Sequence, residues 1–373
     1  MATSPPAEIG MRLEDIDTPA LLIDLDSFER NLRRMVDSLR GLPVRLRPHA
    51  KTHKCPQIAL RQIALGAVGV CCQKVSEAEA LVEGGVNDVL VSNEVVGARK
   101  LDRLAALAHR AQVAVCVDDA ANVDELDAAA RKAGVRFDVL VEIDVGAGRC
   151  GVAPGRPALA LAQRVLGREN LRFAGLQAYH GAAQHLREGS ARRAAIGAAV
   201  GRVRDTVQLL ADHGIGCTWV TGGGTGTYLL EAASGAYQEV QPGSYVFMDA
   251  DYARNLDAPE ASPRFELSLF VLTTVMSRPS VDRAVVDAGL KASSVDAGLP
   301  LVHDRPGLIY AQATDEHGIL RAAPGAALPT LGEKLLLVPG HCDPTVNLYD
   351  WYVCVRAGRV EALWPITARG AVG

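Results

Sequence analysis

Residues 47–54 read Arg-Pro-His-Ala-Lys-Thr-His-Lys and place one lysine, Lys51, between two histidines. Because Pro48 cannot donate to a β-ladder, it predicts the end of the apolar strand that precedes it. A lysine that is crowded by cations or shielded from water loses its proton more readily. The neutral amine is a nucleophile that can form a Schiff base with an aldehyde such as pyridoxal 5′-phosphate (PLP). A solvated basic loop is the competing interpretation, and these eight residues alone do not separate the two.

A glycine-rich segment follows a later apolar run. Residues 222–227 read Gly-Gly-Gly-Thr-Gly-Thr and come just after the run at 217–220. Glycines let backbone N–H groups approach an anion closely, and threonine hydroxyls can add hydrogen bonds. The segment matches neither the G-x-G-x-x-G dinucleotide fingerprint nor the Gly-Lys-Ser/Thr of a P-loop. We interpret it as a phosphate cradle, with a plain tight turn as the alternative.

Two single residues at strand ends could also serve chemistry. Arg149 lies in the glycine-rich loop 145–151 and could hydrogen-bond a polar atom of a ring-shaped cofactor. His180 ends the next predicted strand, where an imidazole could act as a general base near neutral pH. An exposed arginine and a structural histidine are the more common readings of these residues when each is taken alone.

A possible metal motif lies near the C-terminus, where residues 339–345 read Pro-Gly-His-Cys-Asp-Pro-Thr. His341 and Asp343 are two residues apart, so their side chains fall on one side of an extended loop. Imidazole plus carboxylate suits Mn²⁺, Mg²⁺ or a similar ion at an open catalytic site. His341 with Cys342 would suit zinc better, but adjacent residues in extended chain point opposite ways. A capped turn is the competing interpretation.

The elements around these residues predict a barrel. Apolar runs alternate with amphipathic helices, as in 26–39, where Asp26 and Glu29 have the spacing of a capping box. Continuous apolar runs are typical of parallel strands that are buried on both faces. Polar residues follow most of these runs, and a (β/α)8 TIM-like barrel gathers such positions at one rim. The eight predicted strands are 44–46, 68–72, 88–91, 113–117, 138–144, 173–178, 217–220 and 239–245.

The texture of the sequence changes after about residue 257. Short strand-like runs separated by Pro, Gly and Asp replace the helical periodicity and predict a second, mostly antiparallel β domain. The strand at 20–24 precedes the barrel count and can join this second domain. We therefore predict a cofactor-binding barrel at 21–256, with 1–20 and 257–373 forming the β domain that carries the metal motif. A doubly wound open sheet is the alternative for the first part.

Composition narrows the class of protein. Apolar residues make up 49% and charged residues 22% of the 373 residues, which is ordinary for a soluble globular protein. The net charge of −4 argues against nucleic acid as a partner, and no run is long and apolar enough to predict a membrane span. The first twelve residues lack the apolar segment of a signal peptide, and the eight cysteines show no C-x-x-C spacing. These features predict a cytoplasmic location.

Taken together, five segments resemble the fold-type III, or alanine-racemase-like, PLP enzymes and within them the D-threonine aldolase group. The 3-hydroxy-D-aspartate aldolases and eukaryotic-type D-serine dehydratases are similar as well. The resemblance covers nearly the whole chain in family order, which is more specific than any one motif. The segments that carry it are 47–51, 70–77, 145–151, 222–226 and 341–345.

The resemblance implies a set of cofactor contacts. Lys51 would carry PLP as its internal aldimine, Arg149 would lie near a ring oxygen, and glycine-loop residues would surround the phosphate. Gln73 and Tyr179 would line the ring. The implied cofactor-binding residues are Lys51, Gln73, Arg149, Tyr179, Thr221, Gly223, Gly224, Thr225 and Ser244.

The same resemblance implies a metal-assisted retro-aldol cleavage that converts D-threonine to glycine and acetaldehyde. His341 and Asp343 would hold a divalent ion, with Mn²⁺ expected and Mg²⁺ or Co²⁺ as alternatives. Lys51 and His180 would be the catalytic residues, with His180 acting as the base. The similar dehydratases place a cysteine where Asp343 stands, so the aspartate favours an aldolase. These folds usually form dimers, which implies a homodimer.

Other activities stay open on the sequence. A 3-hydroxy-D-aspartate aldolase would share the reaction, and a D-serine dehydratase would eliminate water instead of cleaving carbon–carbon. A racemase needs a second base, often a tyrosine of the β domain. Tyr310, Tyr349 and Tyr352 are present, but none lies in a recognisable motif. A non-catalytic PLP carrier resembles the barrel alone, and the second domain argues against it.

Overall fold

The first two thirds of the chain form a closed barrel, as predicted. In the computed structural model, which describes residues 4–255 and 264–373, one strand precedes the barrel and lies in a second sheet, β1 (Ala20–Asp24). The eight barrel strands are all parallel. They are β2 (Arg45–Leu46), β3 (Val70–Cys72), β4 (Asp88–Glu94), β5 (Gln112–Val117), β6 (Phe137–Glu142), β7 (Leu171–Gln177), β8 (Val220–Gly222) and β9 (Glu239–Val240).

Backbone hydrogen bonds close the circle between the first two barrel strands. Val68 N donates to Leu46 O and Cys71 N to Pro48 O, each at 2.9 Å. All eight strands differ from their predicted ranges by at least one residue, and two of them differ most. β8 begins at Val220, where the predicted run ended, and β9 stops at Val240. Pro242 explains the second difference, because it has no N–H for the ladder and its carbonyl instead accepts from His49 N.

Helices follow the strands and bury one apolar face against them. In the first helix Phe28, Leu32 and Met35 are buried at the spacing of one helical face. This helix begins before the predicted capping box, because Asp24 accepts from Ser27 N at 2.7 Å. The helices are α1 (Leu25–Leu39), α2 (Pro56–Ala64), α3 (Val75–Glu83), α4 (Ala98–Leu107), α5 (Ala120–Ala133), α6 (Arg156–Leu166), α7 (Gly189–Asp212), α8 (Tyr228–Ala233) and α9 (Ala250–Ala253).

The rest of the described chain forms a nine-stranded, mostly antiparallel sheet in which β1 pairs with β10 and β16. The pairing of β1 with β16 is parallel. The remaining elements are β10 (Leu269–Ser280), β11 (Arg283–Val286), β12 (Leu301–Val302), β13 (Leu308–Ala313), β14 (Gly318–Ala322), β15 (Lys334–Val338), α10 (Cys342–Val346), β16 (Trp351–Arg356) and β17 (Arg359–Pro365). The predicted limit after residue 20 falls inside β1, and the limit at 256/257 lies outside the described residues.

One apolar cluster joins the two parts of the molecule. It contains Phe28 of α1, Phe247 of the barrel and Tyr352 of β16, whose aromatic rings lie 5.6–6.4 Å apart along the chain of contacts. Packing of this kind fixes the second sheet against the barrel. None of the helices within 4–255 and 264–373 has the length and apolarity needed to cross a membrane.

Candidate active site

Lys51 follows β2 on a short 3₁₀ turn at the carboxyl rim of the barrel. The turn spans Ala50–Thr52 and is started by His49, whose Nδ1 accepts from Lys51 N at 3.3 Å. The Lys51 side chain is 38% exposed, and its ammonium contacts the carboxylate of Asp343. Desolvation acts to lower the pKa of Lys51, but the Asp343 carboxylate outweighs it and raises this pKa to about 12.

The expectation that neighbouring cations favour the neutral form of Lys51 is therefore wrong. His49 and His53 are buried, and desolvation holds the pKa of His49 well below 6.5 and lowers that of His53 to about 4. Both imidazoles are therefore neutral at pH 7. Arg47 points away from the rim and pairs with Glu239 at 3.0 Å, and Lys54 pairs with a second carboxylate at 2.6 Å.

The predicted metal pair lies on a helix start instead of an extended loop. His341 is the N-cap residue of α10, and Asp343 is in its first turn. The Nδ1 atom of His341 lies 2.8 Å from Asp296 Oδ2. Desolvation opposes ionisation of Asp343, but Lys51 and His341 lower its pKa to about 2. Its Oδ1 atom is buried and has no hydrogen-bond partner among the described residues, so this oxygen is available to a cation.

The glycine loop has the form of an anion cradle. Gly223 has φ +78°, a conformation that favours glycine, and a Cβ on Gly224 would stand 2.6 Å from Gln184 Oε1. Within 4–255 and 264–373, the N–H groups of Gly223, Gly224 and Thr225 have no assigned acceptor. A bare backbone with unpaired N–H groups fits a phosphate group.

The cradle and the Lys51 turn meet through the segment 243–245. A Cβ on Gly243 would stand 2.6 Å from Thr52 Oγ1, so this glycine packs directly on the lysine turn. Tyr245 N donates to Thr225 Oγ1 at 3.1 Å, which ties the same segment to the glycine loop. Ser244 lies between these two contacts and is buried. The structure thus brings the predicted Lys51 segment and the predicted glycine loop together, with Ser244 between them.

Thr221 occupies a different environment from the other predicted phosphate residues. Its hydroxyl donates to Glu239 Oε1 at 2.9 Å and accepts from Gln241 Nε2 at 2.9 Å. Both partners are buried in the barrel interior, as Thr221 is. The sequence did not anticipate this, because a strand-end residue can point either to the rim or into the barrel.

The predicted ring-lining residues lie near the turn that carries Lys51. Gln73 Nε2 lies 3.0 Å from His49 Nε2, on the turn that carries the lysine. Tyr179 is close enough to Lys51 for the two groups to shift each other's pKa, and desolvation raises the pKa of the phenol. The guanidinium carbon of Arg149 lies 5.8 Å from the centre of the Tyr179 ring. These side chains could hold a planar cofactor by stacking and hydrogen bonding.

His180 packs against Gly146, in the loop that carries Arg149. A Cβ on Gly146 would stand 2.8 Å from its Nε2 atom, and its Nδ1 atom is buried without a hydrogen-bond partner among the described residues. Desolvation lowers the pKa of His180, Arg202 lowers it further and Asp144 opposes them. The imidazole is neutral at pH 7, but it makes no hydrogen bond to Lys51 or Asp343 in the described chain.

Two groups near the rim were not assigned a role from the sequence. Glu94, Asp118 and Cys150 bring ligand-type atoms within 4.8 Å of one another, beside the buried Glu142. Burial and the charge of Glu94 raise the pKa of Glu142 to about 8, and this carboxyl lies 3.8 Å from Arg149. Their positions after strands were the available signal. Only the folded barrel brings them together.

His185 belongs to the second unassigned group. Its Nδ1 lies 2.8 Å from Asp251 Oδ2. Asp251 N in turn donates to Gly340 O at 3.2 Å, next to His341. No motif marks His185 in the sequence.

Two family descriptions match the chain. Residues 23–251 match "Alanine racemase, N-terminal domain", and residues 268–355 match "Putative serine dehydratase domain". The first covers the barrel and the second covers most of the antiparallel sheet.

Relatives match over almost the full length. A D-threonine aldolase of Arthrobacter sp is 52% identical over 371 residues, covering 99% of this chain and 97% of the relative. A 3-hydroxy-D-aspartate aldolase of Paracoccus denitrificans (strain Pd 1222) is 49% identical, with 98% and 95% covered.

Solved structures give the same result. The crystal structure of D-threonine aldolase from Filomicrobium marinum has a TM-score of 0.97 and 54% identity, covering 99% of this chain and 100% of that one. A D-threo-3-hydroxyaspartate dehydratase variant with a cysteine replaced by alanine, described as metal-free, has a TM-score of 0.85 and 31% identity, with 95% and 98% covered. The chain belongs to the alanine-racemase-like, fold-type III family and, within it, to the D-threonine aldolase group.

Proposed function

We propose that this protein is a PLP- and divalent-metal-dependent lyase that cleaves D-3-hydroxy amino acids, converting D-threonine to glycine and acetaldehyde. The observation that carries the proposal is the contact between the Lys51 ammonium and the Asp343 carboxylate, which are 292 residues apart in sequence. A candidate cofactor lysine and a candidate metal ligand therefore share one site. The aldolase names of the relatives at 52% and 49% identity support the reaction type.

The residues present fit PLP. Lys51 would hold its aldehyde carbon, and the unpaired N–H groups of Gly223, Gly224 and Thr225 would hold its phosphate. Arg149 would hydrogen-bond a polar atom of its ring. When bound, PLP supplies an electron sink for the pair left on Cα after bond cleavage. Gln73 and Ser244 would complete the site, whereas the Thr221 hydroxyl would support it from inside the barrel.

The residues present also fit a hard divalent cation. Asp343 is ionised and has a buried oxygen without a partner, and His341 is held by Asp296. Such an ion, with Mn²⁺ expected and Mg²⁺ or Co²⁺ as alternatives, would supply Lewis acidity toward the substrate β-hydroxyl. Asp296 would orient the imidazole, as carboxylates commonly do for histidine ligands.

His180 is proposed to accept the proton of the β-hydroxyl. Its low pKa keeps it neutral and able to act as a base at pH 7. Lys51 would be the residue that holds PLP when no substrate is bound.

A direct test combines substrates and variants. We expect the protein with PLP and Mn²⁺ to release aldehyde from D-threonine but not from L-threonine. Asp343→Ala and His341→Ala should abolish cleavage while the visible absorbance of PLP on Lys51 survives. Asp282→Ala, in an exposed ion pair of the same sheet, is the matched control and should keep activity. Full cleavage by either metal-motif variant without added metal would overturn the proposal.

The same assays decide among the alternatives. The relative at 49% identity makes 3-hydroxy-D-aspartate the second substrate to test, and pyruvate release from D-serine would indicate a dehydratase. A racemase needs a free tyrosine as its second base, yet all three candidate phenols donate to backbone carbonyls at 2.7–2.8 Å. They are Tyr310, Tyr349 and Tyr352.

The cytoplasmic location and the homodimer stay predictions. All eight cysteines are unpaired, which supports a reducing compartment. Cell fractionation and light scattering on the purified protein would test the two predictions separately.

A further inference from the structure

A buried carboxyl group lies directly behind the glycine loop. Glu231 of α8 is 1% exposed, and its Cδ atom lies 3.2 Å from the point where a Cβ on Gly223 would stand. Its Oε1 atom accepts from Thr227 Oγ1 at 2.8 Å. Its Oε2 atom is buried and has no hydrogen-bond partner in the described parts of the chain. Nothing in the proposed reaction uses this group.

No cation neutralises Glu231 among the described residues. The short 3₁₀ helix Gly181–His185 contributes the amide of Gln184, which donates to Thr227 Oγ1 at 2.8 Å. The charge of Glu231 contributes to raising the pKa of the phenols of Tyr179 and Tyr237. From α7, Arg204 reaches only the carbonyl of Ser234 at the far end of α8. Burial raises the pKa of Glu231 to about 7, although the bond from Thr227 opposes it.

These contacts place a potential negative charge directly against the backbone of the glycine loop. The unpaired N–H groups of the same loop, at residues 223–225, are where the proposed function puts the cofactor phosphate. Two like charges so close would each disfavour the ionised form of the other. The glycines increase this effect, because no side chain separates the carboxyl from the loop.

We propose that Glu231 must be protonated when a phosphate group occupies the glycine loop, so that PLP uptake at alkaline pH takes up one proton. The inference rests on the proposed function, since it takes PLP as the ligand of the loop. The proton comes from solvent and resides on the Glu231 carboxyl. The affinity for PLP then falls as the pH rises through the pKa that Glu231 has in the free protein.

The expected size follows from linkage. If PLP binds only when Glu231 is protonated, its apparent dissociation constant is proportional to 1 + 10^(pH − pKa). The pKa in this expression is that of Glu231 in the free protein, about 7. Between about pH 6 and about pH 8.5 this weakens PLP binding by roughly 30-fold. Glu231→Gln keeps the shape and the acceptor for Thr227 but cannot ionise. It should therefore lack this part of the pH dependence.

The experiment measures PLP dissociation constants from visible absorbance at both pH values. Wild-type protein, Glu231→Gln and the exposed control Glu169→Gln are compared, with pyridoxal as the ligand without phosphate. Between the two pH values, PLP binding should weaken roughly 30-fold more in wild type and in Glu169→Gln than in Glu231→Gln. Pyridoxal binding should show no such difference among the three proteins. The same weakening in Glu231→Gln as in wild type, or an equal effect with pyridoxal, would overturn the inference.

Calorimetry keeps the inference testable if Glu231→Gln does not fold. Titrations of wild-type protein at about pH 8, in buffers of different ionisation heat, count the protons taken up. PLP should take up close to one proton more than pyridoxal, and equal counts would refute the idea. Failure of PLP to bind at any pH would instead contradict the proposed function itself.

Discussion

Our first prediction is that Arg47 stabilises the fold of the barrel and takes no part in the chemistry of Lys51. It belongs to the same eight-residue segment as Lys51, but its guanidinium lies inside the barrel and is 3% exposed. It donates to Glu239 Oε1 at 3.0 Å and to Asp88 Oδ1 at 2.6 Å. Glu239 is fully buried. Arg47→Met would therefore remove the buried counter-ion of this carboxylate and leave only the half-exposed Arg45, at 3.4 Å, to face it.

The size of the effect follows from that burial. Removing one partner of a buried ion pair costs about 3–5 kcal/mol, because the remaining charge stays desolvated. Thr221 Oγ1 and the half-exposed Arg45 still face Glu239, at 2.9 and 3.4 Å, so we expect the lower half of this range. With a urea m-value of about 3 kcal/mol/M, the unfolding midpoint should fall by about 1 M.

Urea denaturation followed by circular dichroism measures this change. Arg172→Met is the matched control at the same end of the barrel, since Arg172 is 63% exposed where it pairs with Asp138. A surface pair of this kind contributes about 0–1 kcal/mol. In Arg47→Met/Glu239→Gln the lone carboxylate is also removed, so most of the loss should be recovered. Folded Arg47→Met should still show PLP absorbance on Lys51.

Two results would refute the reasoning. One is an Arg47→Met protein as stable as Arg172→Met, which would mean that water solvates the Glu239 carboxylate. The other is a stable Arg47→Met protein that cannot take up PLP, which would assign Arg47 to the cofactor site.

Three further predictions concern the cradle, the base and the pH dependence of stability. Gly224→Ala, whose Cβ would press on Gln184, should weaken PLP binding roughly tenfold with little change in fold, as absorbance titration and circular dichroism can check. If His180 is the base, His180→Asn should lower kcat by about 10²–10⁴ at unchanged PLP affinity; unchanged kcat would exclude it. His53 has a folded-state pKa of about 4, below its usual 6.5, so the unfolded chain binds more protons between these values. Its share of the unfolding free energy is complete above pH 6.5 and falls by about 3 kcal/mol as pH drops to 4, and His53→Asn should flatten this slope in urea titrations.

Much of the fold followed from pattern alone. Continuous apolar runs gave all eight barrel strands, and the change of texture near residue 257 gave the antiparallel sheet. Strand ends were less certain, as at β9, because ladder pairing and not composition decides where a strand stops. The start of α1 moved to Asp24 for a similar reason, since two acidic residues could cap it and only one has the right geometry.

The candidate site shows the same division. Residue types and spacing pointed to Lys51, to the glycine loop and to His341 with Asp343, because each motif is local and carries its chemistry in its own side chains. The contact between these motifs could not be predicted from spacing. Lys51 and Asp343 are far apart in the chain, and one follows a barrel strand while the other follows a strand of the second sheet.

The sequence by itself determined which groups are available: an amine, an anion cradle and a metal-type pair set at the ends of barrel strands and in a second domain. Only the tertiary structure decided their electrostatic state. Burial keeps the histidines beside Lys51 neutral, and the Asp343 carboxylate keeps the Lys51 ammonium charged. The Arg47 side chain lies inside the barrel instead of at the rim. The physical reason is that a pKa depends on desolvation and on charges within a few ångströms, and both are set by long-range packing.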